Sequence, residues 1–488
     1  MMIAISLLAL AVAQSNPSAE VRVTLGAEQK LFSGRLLVTF TRNEPRPVVR
    51  SINWFNPEPA FAMIVRDWAP GATRTLTRDA VGYPVTLEKL PKGAYWVQAV
   101  IDRDRGGISV FDSPGNGYSK PKRIEHDPDK PAVVDLLIDQ TTRERESNDT
   151  ETVKFVNMPS KLLSDFHGQP FTMRAGVVLP PSWKADSPRT YPVVYEITGF
   201  GGDHTFAPSQ SARKAWDLDG LEAIWVVLDA NCRLGHHVFA DSANNGPVGE
   251  ALITELIPRI EKSFRGIGTS AGRVVTGHSS GGWSSLWLQT RYPDSFAGCW
   301  STSPDPVDFR DFQRINIYEP GANLFTDPSG RLRELSRGDR GRTLTFQGFS
   351  GMEDVMGRGG QLASFEAVFS PKMPDGTPRK LWDRKTGAID PVTAKAWEKY
   401  DIRLRLEREW ATLGPRLQGK VHVWMGDLDT FYLDGAARLL RESQRKLDGG
   451  ATVEMMPNKT HALMDRTLSQ RMKKEMKAAL MKPGDVAK

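Results

Sequence analysis

At 488 residues the chain is longer than a single core usually grows, so two or three domains are expected. Its 40% apolar and 25% charged residues, with 43 glycines and 33 prolines spread along the length, exclude a disordered or low-complexity protein. A net charge of +6, from 64 basic and 58 acidic residues, is too small to argue for nucleic acid, and two cysteines, Cys232 and Cys299, are too few for a disulfide scaffold or a CxxC metal site.

The first residues carry an apolar run over 3–12 and then Ala11-Val12-Ala13, the small-x-small pattern of a signal-peptidase site. The expectation is a signal peptide over 1–13 and export to the periplasm or the exterior. No Lys or Arg precedes the run, which keeps a buried N-terminal segment as the alternative. The run is too short to cross a bilayer and no later stretch approaches the roughly 20 apolar residues a membrane helix needs, so no stable membrane span is expected.

Residues 20–140 read as short strands between turn residues: EVRVTL (20–25), RLLVTF (35–40), FAMIV (61–65), AYWVQAVI (94–101) and VVDLLI (133–138). This spacing suggests a small antiparallel β-sandwich of immunoglobulin-like type, with a structural or ligand-presenting role. The polar stretch TTRERESNDTETV, starting at Thr141, is the expected linker.

From about 150 to 488 strands alternate with helices, the signature of an α/β sheet with a parallel centre. Strands are expected at 192–198, 224–230, 273–277, 420–426 and 451–457, with a helix at 249–264. The last helix carries Leu468, Met472, Met476 and Leu480 near one face, a pattern that suits core contacts. Between about 308 and 415 the alternation breaks down, so an insertion is expected there, placed to act as a lid over the crevice at the strand ends.

The chemistry centres on Gly277-His278-Ser279-Ser280-Gly281, a GxSxG pattern between a strand and a helical stretch. That context predicts a sharp turn that lifts the Ser279 hydroxyl above the sheet as a nucleophile. A serine hydroxyl needs a base to take its proton and a carboxylate to orient the base. His461, just after the last strand, is the favoured base, while His422 lies inside a strand and suits a structural role. Gly426-Asp427-Leu428-Asp429 supplies two carboxylates. Asp429, three residues beyond the glycine, is the favoured acid, with Asp427 suited to a turn or a supporting position. Oxyanion donors are expected from the backbone N–H of Ser280 and of Phe200, in the glycine-rich turn Gly199-Phe200-Gly201-Gly202.

Together, GVVLPPSW, YPVVYEITGFGGDHTF, GHSSGGWSSLWLQTRYPDSFAGCWSTSPD, GDLDTFY and NKTHALM resemble the esterase family that holds esterase D, feruloyl esterases, enterobactin-type siderophore esterases and mycolyltransferases. The resemblance implies an α/β-hydrolase fold with Ser279, Asp429 and His461 as the triad and Phe200 and Ser280 as the oxyanion hole. The family usually has His before the glycine of the first loop, where this chain has Thr198.

The loop CRLGHHVFADSANNGP (232–247) should border the crevice, with His236, His237, Asp241 and Asn245 as polar candidates and His237 and Asn245 chosen as substrate contacts. Its paired histidines and aspartate also admit a metal site, although no metal or cofactor is expected to be required. Arg331, Arg333, Arg337, Arg340 and Arg342 in the insertion admit an anionic substrate group or a solvated loop, and Trp382 and Trp397 a stacking surface. The reading is a serine esterase for a small-molecule or glycan-linked ester, carbohydrate-linked or of siderophore type. A serine peptidase of related fold and a non-catalytic binding protein are the alternatives.

Overall fold

The computed structural model describes residues 19–481 apart from 105, 131, 145, 146 and 339–342. The expected signal peptide, Arg340 and Arg342 lie outside the described residues. The chain divides into two units, one with the residues up to Arg103 and Phe111–Arg143, the other with Asp104–Val110 and the residues from Glu144 on.

The first unit is a nine-stranded sheet. Alternation along its strands sends Val21, Val23 and Leu25, Val134, Leu136 and Ile138, Leu36, Val38 and Phe40, and Val97, Ala99 and Ile101 into one core. One pairing departs from the antiparallel expectation: Ala19–Leu25 runs parallel to Ala132–Thr141. These strands stand at opposite ends of the unit's sequence, so no hairpin forces them to oppose one another.

The second unit is built on eight strands: β1 (Val153–Pro159), β2 (Thr172–Val178), β3 (Val193–Ile197), β4 (Ile224–Leu228), β5 (Arg273–His278), β6 (Cys299–Thr302), β7 (Val421–Gly426) and β8 (Thr452–Met456). Their order is β1-β2-β4-β3-β5-β6-β7-β8. The β1–β2 and β2–β4 pairs are antiparallel and the rest parallel. This is the α/β-hydrolase fold, with three strands, β1, β2 and β6, beyond those the periodicity predicted. β4 and β6 are buried along their whole lengths, as strands covered on both faces must be.

Helix α1 (Ser280–Arg291) follows β5 and is buried from Ser280 to Thr290. The segment between β6 and β7 holds α2 (Phe346–Met356), α3 (Gln361–Phe369) and α4 (Ile402–Leu417). Of these, α4 packs on α1 and on the later helix α5 (Asp434–Lys446). It is therefore the crossover between β6 and β7, and the extra structure is 303–401. The final helix α6 (Arg466–Leu480) buries Leu468, Met472, Met476 and Leu480 against the sheet. Cys232 and Cys299 are buried and unbridged, and burial pushes both thiols up to about 12.

Candidate active site

Ser279 stands between β5 and α1 with φ 59° and ψ −123°. A non-glycine residue held there stores about 1–3 kcal/mol of backbone strain, which the surrounding packing must offset. Three hydrogen bonds hold it: its N–H donates to Thr302 O at 3.0 Å, and its carbonyl accepts from Trp283 N at 3.0 Å and Asp305 N at 3.3 Å. The flanking glycines are required by close approach. A Cβ on Gly277 would collide with Gly281 O, and one on Gly281 with Ile197 O. The GxSxG spacing thus lets β5, α1 and the end of β3 converge on one point.

The carboxylate that meets His461 is Asp429, not Asp427. Nδ1 of His461 lies 2.7 Å from Oδ2 of Asp429, which is wholly buried. The other oxygen, Oδ1, accepts from the N–H groups of Phe431 at 2.8 Å and Leu433 at 3.3 Å. With Nδ1–H donating to the carboxylate, Nε2 is left as an acceptor. The His461 ring packs at 4.8 Å from that of His278 and 4.9 Å from that of Phe431, and its carbonyl accepts from Ser303 Oγ at 3.0 Å. His278, the residue before Ser279, therefore brings the dyad beside the strained turn. Burial holds the His278 imidazole down at about 4. His422 instead stacks on Trp300 at 4.7 Å, as its place inside a strand suggested.

The turn after β3 closes with Gly202 N–H donating to Gly199 O at 3.0 Å. Phe200 and Gly201 fill its centre, and Gly201 has φ +83°, the conformation a type II turn demands at that position. The turn adjoins Ser279: a Cβ built on Gly199 would stand 3.9 Å from Ser279 Oγ. Ser280 is the first residue of α1, so its N–H has no acceptor within the helix. Its hydroxyl donates to Asp305 Oδ2 at 2.5 Å and accepts from Gln361 Nε2 at 3.2 Å. Burial raises the Asp305 carboxyl to about 6. Asp305 was not among the expected site residues, although it closes the family-like stretch that ends Ser301-Thr302-Ser303-Pro304-Asp305.

The loop after β4 works on itself and on the turn. His236 Nε2 donates to Thr198 O at 3.1 Å while its Nδ1 accepts from Val238 N–H. His237 is 4% exposed, and its Nδ1 accepts from Phe239 N–H at 3.2 Å. Burial holds these two rings down at about 4 and about 3. Asn245 is 5% exposed, its Oδ1 facing Cys232 Sγ and its N–H donating to Ser242 Oγ. The Asp241 carboxylate accepts from Gly249 N, Glu250 N and Tyr292 OH. These contacts make His237, Asn245 and Asp241 internal supports of the loop.

In the insertion, Arg331 pairs with Asp327, Arg333 donates to the carbonyls of Asn323 and Thr326, and Arg337 turns to the Asp429 loop. Trp382 and Trp397 are core side chains, bonded through Nε1 to Ser350 and Ser370, which removes the stacking surface. A cavity of about 420 Å³ opens beside the site, lined in part by His278, Thr302, Ala462, Trp225 and Met472. Among the described residues no helix is long and apolar enough to cross a membrane.

Residues 170–455 match the family described as "Putative esterase". Esterase Rv1288 of Mycobacterium tuberculosis is 33% identical over 138 residues, which is 28% of this chain and 30% of that one. The chain thus matches less than a third of that relative's length. Similar solved structures include a ferulic acid esterase, at 16% identity and TM-score 0.42 over 68% of this chain and 99% of that one. Another is an S-formylglutathione hydrolase from Agrobacterium tumefaciens, at 16% identity and TM-score 0.41 over 69% and 99%. The family match runs over more than half of the chain, from before β2 into β8, and this protein belongs to that esterase family.

Proposed function

We propose that the protein hydrolyses a carboxylic ester through an acyl-enzyme on Ser279, with His461 as base and Asp429 as the acid that orients it. His461 Nε2 takes the Ser279 proton as Oγ bonds to the carbonyl carbon. The carbonyl electron pair moves to oxygen, where the N–H groups of Phe200 and Ser280 receive the negative charge. Collapse breaks the bond to the alcohol oxygen, which leaves with the proton from His461. Water then gives a proton to His461 as its oxygen bonds to the acyl carbon, and collapse breaks the bond to Ser279 Oγ, which takes the proton back from His461 as the acid leaves.

The observation that carries this reading is the conjunction of strain and pairing. A serine at φ 59° heads a buried helix, and the ring of the preceding residue, His278, packs 4.8 Å from an imidazole fixed by a wholly buried carboxylate at 2.7 Å. A binding protein has no use for either cost. The substrate class we propose is an extracellular ester, carbohydrate-linked or of siderophore type, in keeping with the signal-like N-terminus.

Hydrolysis of p-nitrophenyl esters of graded acyl length tests the chemistry, and acid release from acylated polysaccharide tests the substrate class. Turnover is expected in the wild type and its loss in Ser279→Ala. Equal turnover in both would overturn the assignment.

A further inference from the structure

The insertion was expected to be a lid, yet its contacts are those of a fixed support. Phe309, Phe312, Phe365, Phe369 and Trp397 form one ring cluster, with centroids 5.1–5.7 Å apart in the Phe309–Phe369, Phe312–Phe365, Phe369–Trp397 and Phe309–Trp397 pairs. The cluster continues into the nucleophile helix, where Trp283 meets Phe369 at 5.2 Å and Trp287 meets Tyr400 at 5.6 Å. A swinging motion would uncover these rings, and exposing even one Phe costs about 1.5–3 kcal/mol.

From this support, side chains reach the acid loop. Three consecutive carbonyls of that loop accept hydrogen bonds from the insertion. Asp429 O accepts from Arg337 Nε at 2.8 Å, Thr430 O from Arg337 N at 2.7 Å, and Phe431 O from Gln313 Nε2 at 2.9 Å. Arg337 Nη2 also meets Asp434 Oδ1 at 3.1 Å. The next ring, Tyr432, lies between the guanidinium groups of Arg314 and Arg337, at 3.5 and 4.4 Å, and its hydroxyl donates to Glu334 at 2.6 Å. Tyr432 itself has φ +57°, a conformation a tyrosine keeps only when its surroundings impose it.

We propose that the insertion is a brace for the catalytic apparatus, and that Arg337 is a positioning residue that holds the Asp429 loop where its carboxylate meets His461. The inference rests on the Ser279–His461–Asp429 reading. Arg337 touches no reacting atom. It fixes the backbone from which the carboxylate projects, and its planar fork spans a carbonyl and a carboxylate at once, which a lysine cannot reproduce. This assigns a role to one member of the arginine cluster while leaving Arg331, exposed and paired with Asp327, outside it.

The test is steady-state kinetics on p-nitrophenyl acetate, with thermal unfolding as the check on folding. In Arg337→Ala, kcat should fall roughly ten- to hundred-fold with KM within about twofold, the signature of a misplaced catalytic group. Arg337→Lys should recover part of the loss, and Arg331→Ala should match the wild type. If Arg337→Ala does not fold, Asp434→Asn, which takes away the charge facing Nη2, should lower kcat with KM unchanged. A folded Arg337→Ala with wild-type kcat, or one altered in KM alone, would overturn the brace and leave the triad standing. So would wild-type kcat in Asp434→Asn where Arg337→Ala cannot be read. A wild type that neither turns over nor reacts with a fluorophosphonate would remove the triad, and the brace with it.

Discussion

Nε2 of His236 lies 3.1 Å from the carbonyl oxygen of Thr198, the residue that leads from β3 into the Gly199–Gly202 turn. Because Nδ1 of the same ring accepts from Val238 N–H, the proton sits on Nε2 and the ring is a neutral donor. The loop after β4 thereby steadies the turn proposed to bind the oxyanion. His236→Ala should lower kcat about tenfold on p-nitrophenyl esters with KM little changed, since a displaced donor weakens binding of the oxyanion more than of the substrate.

The same burial gives a pH dependence of stability. The folded ring titrates at about 4 against an ordinary 6.5, so between these values the unfolded chain binds more protons. The contribution of the neutral ring is complete above 6.5 and is lost as pH falls toward 4. The Tm of the wild type should therefore exceed that of His236→Ala by most near pH 7, with the gap narrowing by pH 5. Thermal scans of both proteins at the two values check this, and a gap that widens on acidification would contradict it.

Asp429→Asn should leave the fold intact and lower kcat by about 10⁴-fold, because an amide can present a donor to Nδ1 and reverse the tautomer that the carboxylate imposes. Asp427→Asn should stay within a few-fold of the wild type. Reversed effects in the same assay would exchange the roles of the two.

Gly281→Ala should fail to fold or lose more than about 3 kcal/mol in urea unfolding, as its methyl group would meet the carbonyl of Ile197 in a region with no slack. Wild-type stability would mean that β3 and α1 are further apart than described.

Trp397→Ala should cost about 3–5 kcal/mol of stability, as a fully buried ring among Phe309, Phe312 and Phe369. A selective rise in KM for sugar esters without loss of stability would instead restore the stacking role first considered for it.

The elbow was legible because its glycines are fixed by backbone collisions that leave no other residue type. The pairing of Asp429 with His461 was legible through their offsets from strand ends. His237 was chosen over His236 without a signal to separate them: neighbouring residues in an irregular loop face different ways, and only the fold shows which ring meets Thr198. The insertion's tryptophans resembled surface aromatics because a segment of short helices has no long period to mark its inner face. Arg337 looked like one of five similar arginines, and what sets it apart is a contact with Asp429 across 92 positions of sequence. The parallel pairing of Ala19–Leu25 with Ala132–Thr141 is likewise a long-range choice that alternation alone does not encode.

The proposed activation of Ser279 as a nucleophile is best probed by reaction with a fluorophosphonate followed by mass mapping. One adduct is expected, on Ser279, formed rapidly in the wild type, absent in Ser279→Ala and slowed by orders of magnitude in His461→Ala. A folded wild type that takes no adduct, or one labelled at another serine, would contradict it.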